Sequence, residues 1–196
     1  MKTVLSQTEI SWAWALKNGL DDPYKLHQWI WNVFPDNPEA NRDFLFRADV
    51  IHGILRILLL AERMPTAKSD LKWKTTEISD TFLSHGVYRF QLRANPTFRR
   101  AADHRRLAIF DEKKIREWFE RKFNDAGCEI SEMETTAPRQ VKFRKSGGPL
   151  GTVCAVDASG ILVVRNENAF RSAFEAGIGP AKGFGFGLLL LRPIQF

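Results

Sequence analysis

Cysteine is scarce. Cys128 and Cys154 are the two in 196 residues, and neither belongs to a CxxC pair. That leaves room for one disulfide at most and excludes a cysteine-rich zinc site, and two reduced thiols in a cytosolic protein are the expected state. Long apolar runs are also missing. No uninterrupted run exceeds the one from Ile57 to Ala61, far short of the ~20 residues a membrane helix needs. Residues 1–14 hold no apolar stretch ending in a small-residue cleavage site, so no signal peptide is expected. The expected location is the cytoplasm, with no membrane partner. There is no Gly-Lys-Ser/Thr loop, and no His, Cys or carboxylate set at metal-ligand spacing. Neither a metal nor a cofactor is therefore expected.

What is abundant is bulk and positive charge. Fifteen Phe and six Trp supply core side chains, and the hydrophobic fraction of 44% is that of an ordinary folded protein. The length suits one larger domain or two of roughly 100 residues each. Lys and Arg number 29 against 23 Asp and Glu, a formal +6. Such an excess suits a polyanion such as nucleic acid.

The hydrophobic pattern falls into two blocks. In the first, residues 3–14 read as a strand with its flanks. Pro23 opens a helix carrying Leu26, Ile30, Trp31 and Phe34, and Pro35 with Asp36 stops it. Residues 43–48 and 54–61 read as strands, 68–84 is ambiguous, and 86–94 is a strand. In that last strand Tyr88, Phe90, Leu92 and Ala94 share one face, and Arg89, Gln91 and Arg93 the other. Pro96 closes the block. A basic connector follows, with Arg99, Arg100, Arg105 and Arg106 around His104.

The second block has a short strand at 107–110. Next comes a helix capped by Asp111, whose Ile115, Trp118, Phe119 and Phe123 lie on one face. Strands are expected at 129–134, 140–145, 151–156 and 161–164, with a turn at Ser146-Gly147-Gly148-Pro149. A helix capped by Asn166 and a closing strand at 188–191 complete it. Each block approximates β-α-β-β-α-β, the ferredoxin-like order. The second helix of the first block is the weakest element. The expected fold is α+β, with two tandem ferredoxin-like (RRM-like) domains: an N-terminal domain over 1–96, a basic linker over 97–106 and a C-terminal domain over 107–196.

The most unusual segment is Gly177-Ile-Gly-Pro-Ala-Lys-Gly-Phe-Gly-Phe-Gly187. It follows a helix and precedes a strand, the reverse of a dinucleotide-binding fingerprint. Gly179, Gly183 and Gly185 would let another backbone approach, and their amides with Lys182 would cradle a phosphate. A turn that merely eases tight packing is the alternative. Other charged sites carry two readings as well. Arg99, Arg100, Arg105 and Arg106 would follow a phosphate strand or form a solvated linker. Lys142, Arg144 and Lys145 would take a basic hairpin into a groove. Arg89 and Arg93 would meet a nucleic acid or pair with acidic neighbours. Tyr24 and His27 lie three apart on one helix face, where such a pair ordinarily serves packing.

Three segments together are more specific. The glycine-rich tail resembles the C-terminal signature of the CasE family, the type I-E CRISPR RNA-processing endoribonucleases. The stretch Tyr24-Lys-Leu-His27-Gln-Trp-Ile-Trp31-Asn-Val-Phe34-Pro35, with Arg42 to Arg47, resembles the family's N-terminal helix and following strand. Tyr88 to Pro96 resembles its central strand. Phe98 stands where members often carry a basic residue, and residues 63–84 lie outside the match.

The resemblance implies two RRM-type domains and a metal-independent endoribonuclease. It would bind the CRISPR repeat stem-loop and cut at its base by 2′-hydroxyl attack, leaving a 2′,3′-cyclic phosphate and a 5′ hydroxyl. The mature crRNA would be retained with other Cascade subunits. Tyr24 and His27 fall at the family's catalytic positions, and Lys182 becomes the candidate for stabilising phosphate charge. An imidazole, with an unperturbed pKa of about 6.5, suits the proton transfers. A non-catalytic RNA-binding subunit of a CRISPR ribonucleoprotein is the competing expectation, and a purely structural subunit the third.

Overall fold

The computed structural model describes residues 3–34, 43–66, 71–144, 148 and 150–195. The chain forms two compact units. The first comprises Met1–Ile78, Lys142–Gly151 and Gly183–Gly185, and the second comprises Ser79–Val141, Thr152–Lys182 and Phe186–Phe196.

The first unit runs β1 (Val4–Ser11), α1 (Trp12–Lys17), α2 (Pro23–Trp31), β2 (Phe44–Ile51), β3 (Ile54–Ala61) and β4 (Lys74–Glu77). Its sheet has the order β2-β3-β1-β4 with antiparallel pairs throughout. That is the ferredoxin-like arrangement, in which the third strand inserts between the first two. The core gathers Leu26 and Ile30 of α2 against Phe44 and Phe46 of β2 and Leu55, Ile57 and Leu59 of β3. Asp22 starts α2 by accepting the N–H groups of Tyr24 and Lys25 at 2.8 and 3.0 Å, and Pro23 occupies the first helical position. Two expectations change here. Trp12–Lys17 is helical rather than the flank of a strand, because the buried-exposed alternation of β1 ends at Ser11 and Ala15 packs inward. Between β3 and β4 the described residues contain no helix, so the weakest predicted element is not found there.

The second sheet is built from β5 (Val87–Ala94), β8 (Cys128–Thr135), β10 (Leu150–Val164) and β11 (Leu189–Pro193), in the order β11-β5-β10-β8, with β9 (Arg139–Arg144) beside β10. Helices α3 (Glu112–Asp125) and α4 (Glu167–Ala176) follow β5 and β10 in the chain. Their aromatic faces cover one side of the sheet. Phe123 lies 4.7 Å from Phe90, and Phe170 lies 5.3 Å from Tyr88, between ring centroids. This is a second ferredoxin-like unit, and the fold is α+β with two such domains in tandem.

Strand pairing corrects the assignment of residues 86–94. β5 is the first strand of the second sheet, hydrogen-bonded on both sides to β10 and β11, rather than the last strand of the first. The first sheet closes instead with the short polar β4. Pro96 ends a strand, not a domain. The basic connector is itself structured: β6 (Thr97–Arg99) pairs with β7 (Arg106–Ala108) as a hairpin between β5 and α3. The strands expected at 151–156 and 161–164 are one strand, β10. Gly160 passes through it because a methyl group there would sit 1.8 Å from the Glu132 carbonyl oxygen on β8. The glycine marks a close strand approach, with a register shift immediately after it. The expected turn at 146–149 lies outside the described residues except for Gly148.

Candidate active site and nucleic-acid interface

Helix α2 sets the first half of the site. Its capped first turn carries Tyr24 and its second His27, both half-buried. Leu26 and Ile30 anchor the helix in the core, so the neighbouring face is fixed. Trp31, one turn after His27, meets the imidazole edge-on at 5.9 Å between ring centroids. Phe44 of β2 lies 6.0 Å from it.

The glycine-rich tail supplies the other half. A short 3-10 turn, Lys182–Phe184, brings Phe184 to 6.5 Å from the imidazole. Phe184 is stacked in turn on Phe143, at 4.1 Å. Gly183 faces the ring itself. A Cβ built there would meet Cε1 and Nδ1 of His27 at 3.7 and 3.8 Å, so any longer side chain would cover the ring. The imidazole is walled by three aromatic rings and bordered by a residue with no side chain.

The other tail glycines do different work. Gly179 has φ +85°, and a Cβ on it would stand 2.8 Å from Trp118 of α3. Gly185 has φ +83° and lies against Phe46, with a Cβ 3.1 Å from the ring. Both are demanded by backbone conformation and packing. Lys182 is half-buried, at the start of the turn that carries Gly183.

The basic residues separate by what they touch. Arg93 donates to Asp157, opposite it in register, at 2.9 Å. Arg100 is ion-paired with Asp103, and this bond holds the Asp103 carboxyl below the usual carboxylate range. Asp103 also receives Arg105 at 3.4 Å. The tip of the β6–β7 hairpin is thus ordered around one carboxylate. Arg99 and Arg106 face each other in register, both exposed. Arg89 is exposed on β5. Lys142 is exposed on β9, Arg144 ends that strand, and Lys145 lies outside the described residues. Among the described residues no group of three or more His, Cys, Asp or Glu is placed to hold a metal ion.

The description "CRISPR associated protein" belongs to a family model that matches residues 4–193. The CRISPR system Cascade subunit CasE of Escherichia coli is 31% identical over 206 residues, covering 97% of this chain and 99% of that one. The chain belongs to the CasE family of CRISPR-associated proteins. A second relative, the CRISPR-associated endoribonuclease Cse3 of Thermus thermophilus, is 32% identical over 202 residues, 91% of this chain and 94% of its own. The fold also superposes on a solved structure of Thermus thermophilus Cse3 bound to an RNA representing a pre-cleavage complex. There the TM-score is 0.86 at 22% identity, covering 98% of this chain and all of that one.

Sequence reasoning missed the aromatic cluster around His27. Trp31 was legible, four residues after His27 on the same helix. Phe44, Phe143 and Phe184 were not, because their approach depends on how the chain folds back. Also unread were the exposed Phe110 and the cation Arg121 near it, and the exposure of Phe98, which the sequence showed only as a departure from the family's usual basic residue.

Proposed function

We propose that this chain is a metal-independent endoribonuclease that binds a CRISPR repeat stem-loop, cuts it at its base, and keeps the product as a subunit of a cytoplasmic Cascade complex. The observation that carries this reading is the placement of the His27 imidazole against Gly183 of the tail. The names of its relatives, a Cascade subunit and a CRISPR-associated endoribonuclease, support the substrate class and the assembly.

RNA carries its own nucleophile. When the 2′ oxygen attacks the adjacent phosphorus, its proton must leave, the 5′ oxygen must gain one, and the two oxygens must lie in line. His27 serves one of these transfers as acid or base. Tyr24, one helical turn away, orients the ribose or phosphate or shares the proton. Lys182 offsets charge growing on the phosphate oxygens. A cyclic phosphate and a 5′ hydroxyl result. Arg99, Arg105 and Arg106 on the hairpin, with Arg89, Lys142, Arg144 and Lys145, hold the RNA through its phosphates. Arg93 and Arg100 contribute beside their carboxylate partners. A-form RNA presents its backbone more readily than its base edges, so shape and phosphate spacing dominate recognition.

The test is cleavage of the repeat hairpin in excess EDTA. The wild type is expected to cut it. A 2′-deoxyribose just upstream of the cut is expected to stop the reaction while binding persists. His27→Ala is expected to slow cleavage on the order of 10²–10⁴-fold with hairpin affinity unchanged. Cleavage at wild-type speed in this variant would overturn the site. Intact RNA after long incubation with the wild type would favour a non-catalytic RNA-binding subunit.

A further inference from the structure

Two adjoining cavities in the second unit have no part in the cleavage chemistry above. One is a groove of about 680 Å³ beside α3, walled by the apolar Phe98, Ile109, Phe110 and Trp118, with Asp111 and Glu117 also on its lining. Phe98 and Phe110 are 48% and 50% exposed, apolar surface that a folded chain normally hides or uses. Trp118 is buried and held in place by its indole N–H, which donates to the Thr97 carbonyl at 3.1 Å. The second cavity, of about 830 Å³, shares Phe98, Trp118 and Arg121 with the first and adds Arg99, Arg106 and Lys122. Four cations converge there, and among the described residues no carboxylate lines it. Lys122 also reaches Asp125 of its own helix, at 2.9 Å.

We propose that the paired cavities bind one unpaired nucleotide of the RNA flanking the hairpin, its base stacked on Phe98 or Phe110 and its phosphate among Arg99, Arg106, Arg121 and Lys122. The proposal rests on the RNA-binding reading above and adds a recognition element separate from His27. Each half alone has a simpler occupant. An apolar protein side chain would account for the exposed rings but not for four converging cations. A phosphate would account for the cations but not for the rings. A nucleotide needs both, side by side. Bases inside a stem are already stacked, so an aromatic platform selects the single-stranded flank.

The test compares the repeat hairpin with and without its single-stranded flanks, with 2-aminopurine placed in turn at each flanking position. For the wild type the flanks are expected to tighten binding by roughly 5- to 100-fold, and one 2-aminopurine should change its fluorescence on binding. Phe98→Ala with Phe110→Ala is expected to abolish both the gain and that signal while leaving blunt-hairpin affinity unchanged. Phe98→Tyr with Phe110→Tyr should restore them. Equal wild-type affinity for the two RNAs would overturn the proposal. So would alanine variants that bind both RNAs normally yet fail to assemble with other Cascade subunits, which would make the groove a protein-docking surface. If the wild type does not bind even the blunt hairpin, the underlying RNA-binding reading falls and takes this one with it.

Discussion

At the scale of single residues, the tail glycines divide into those required by packing and the one that faces the site. Gly183→Ala adds a methyl at ordinary contact distance from His27, so it should leave stability and cleavage nearly unchanged. Gly183→Leu should cover the imidazole and lower cleavage by about 10-fold or more with little change in Tm. Gly179→Ala should do the reverse. Its φ of +85° and the crowding by Trp118 predict a loss of about 1–3 kcal/mol in denaturant unfolding. Paired cleavage and stability measurements separate the two effects.

The cysteines give a further check. Burial pushes the Cys128 thiol up to about 12 and raises that of Cys154 as well. Both should resist thiol reagents at pH 8 in the native protein and react only after denaturation. Because the folded chain keeps the Cys128 proton longer than the unfolded one, this contribution to stability is complete below about pH 9 and is lost as the pH rises toward about 12. Cys128→Ala should therefore flatten the fall in Tm over that alkaline range.

At the scale of elements, the β6–β7 hairpin and β10 show what local sequence can and cannot convey. Both flanks of the hairpin were visible as a run of arginines. Its pairing was not, because three-residue strands carry too little alternation to register. Arg99→Ala and Arg106→Ala are expected each to reduce the slope of log affinity against log salt by about 0.7–0.9 if each neutralises one phosphate. Their exposure keeps the stability change within about 0.5 kcal/mol. In β10, residues 151–156 and 161–164 read as two strands, with Gly160 between them. Its role depends on Glu132 of β8, a partner absent from the local window. Helices α2, α3 and α4 were the most legible elements, since Pro23 marks the first turn of α2 and Asp111 and Asn166 cap α3 and α4.

At the scale of the whole molecule, the repeated β-α-β-β-α-β pattern was readable but its phase was not. β4, Lys-Thr-Thr-Glu, is too short and polar to stand out, whereas β5 is long and regular. The stronger strand was therefore credited to the wrong sheet. Nothing within β5 reveals that its two neighbours are β10 and β11, which arrive much later in the chain. The candidate site was legible only through family resemblance, because a Tyr and a His on a helix face do not by themselves imply chemistry. The net charge of +6 carries a global expectation: hairpin affinity should weaken steeply with salt. A flat salt titration would count against phosphate contacts as the main source of binding. The pocket has a bearing on biosynthesis too. His27 leaves the ribosome well before Gly183 and Phe184, which border its ring. Nascent chains up to that point lack the tail side of the His27 surroundings, so under the proposed mechanism cleavage by a chain truncated before Gly183 is expected to be absent.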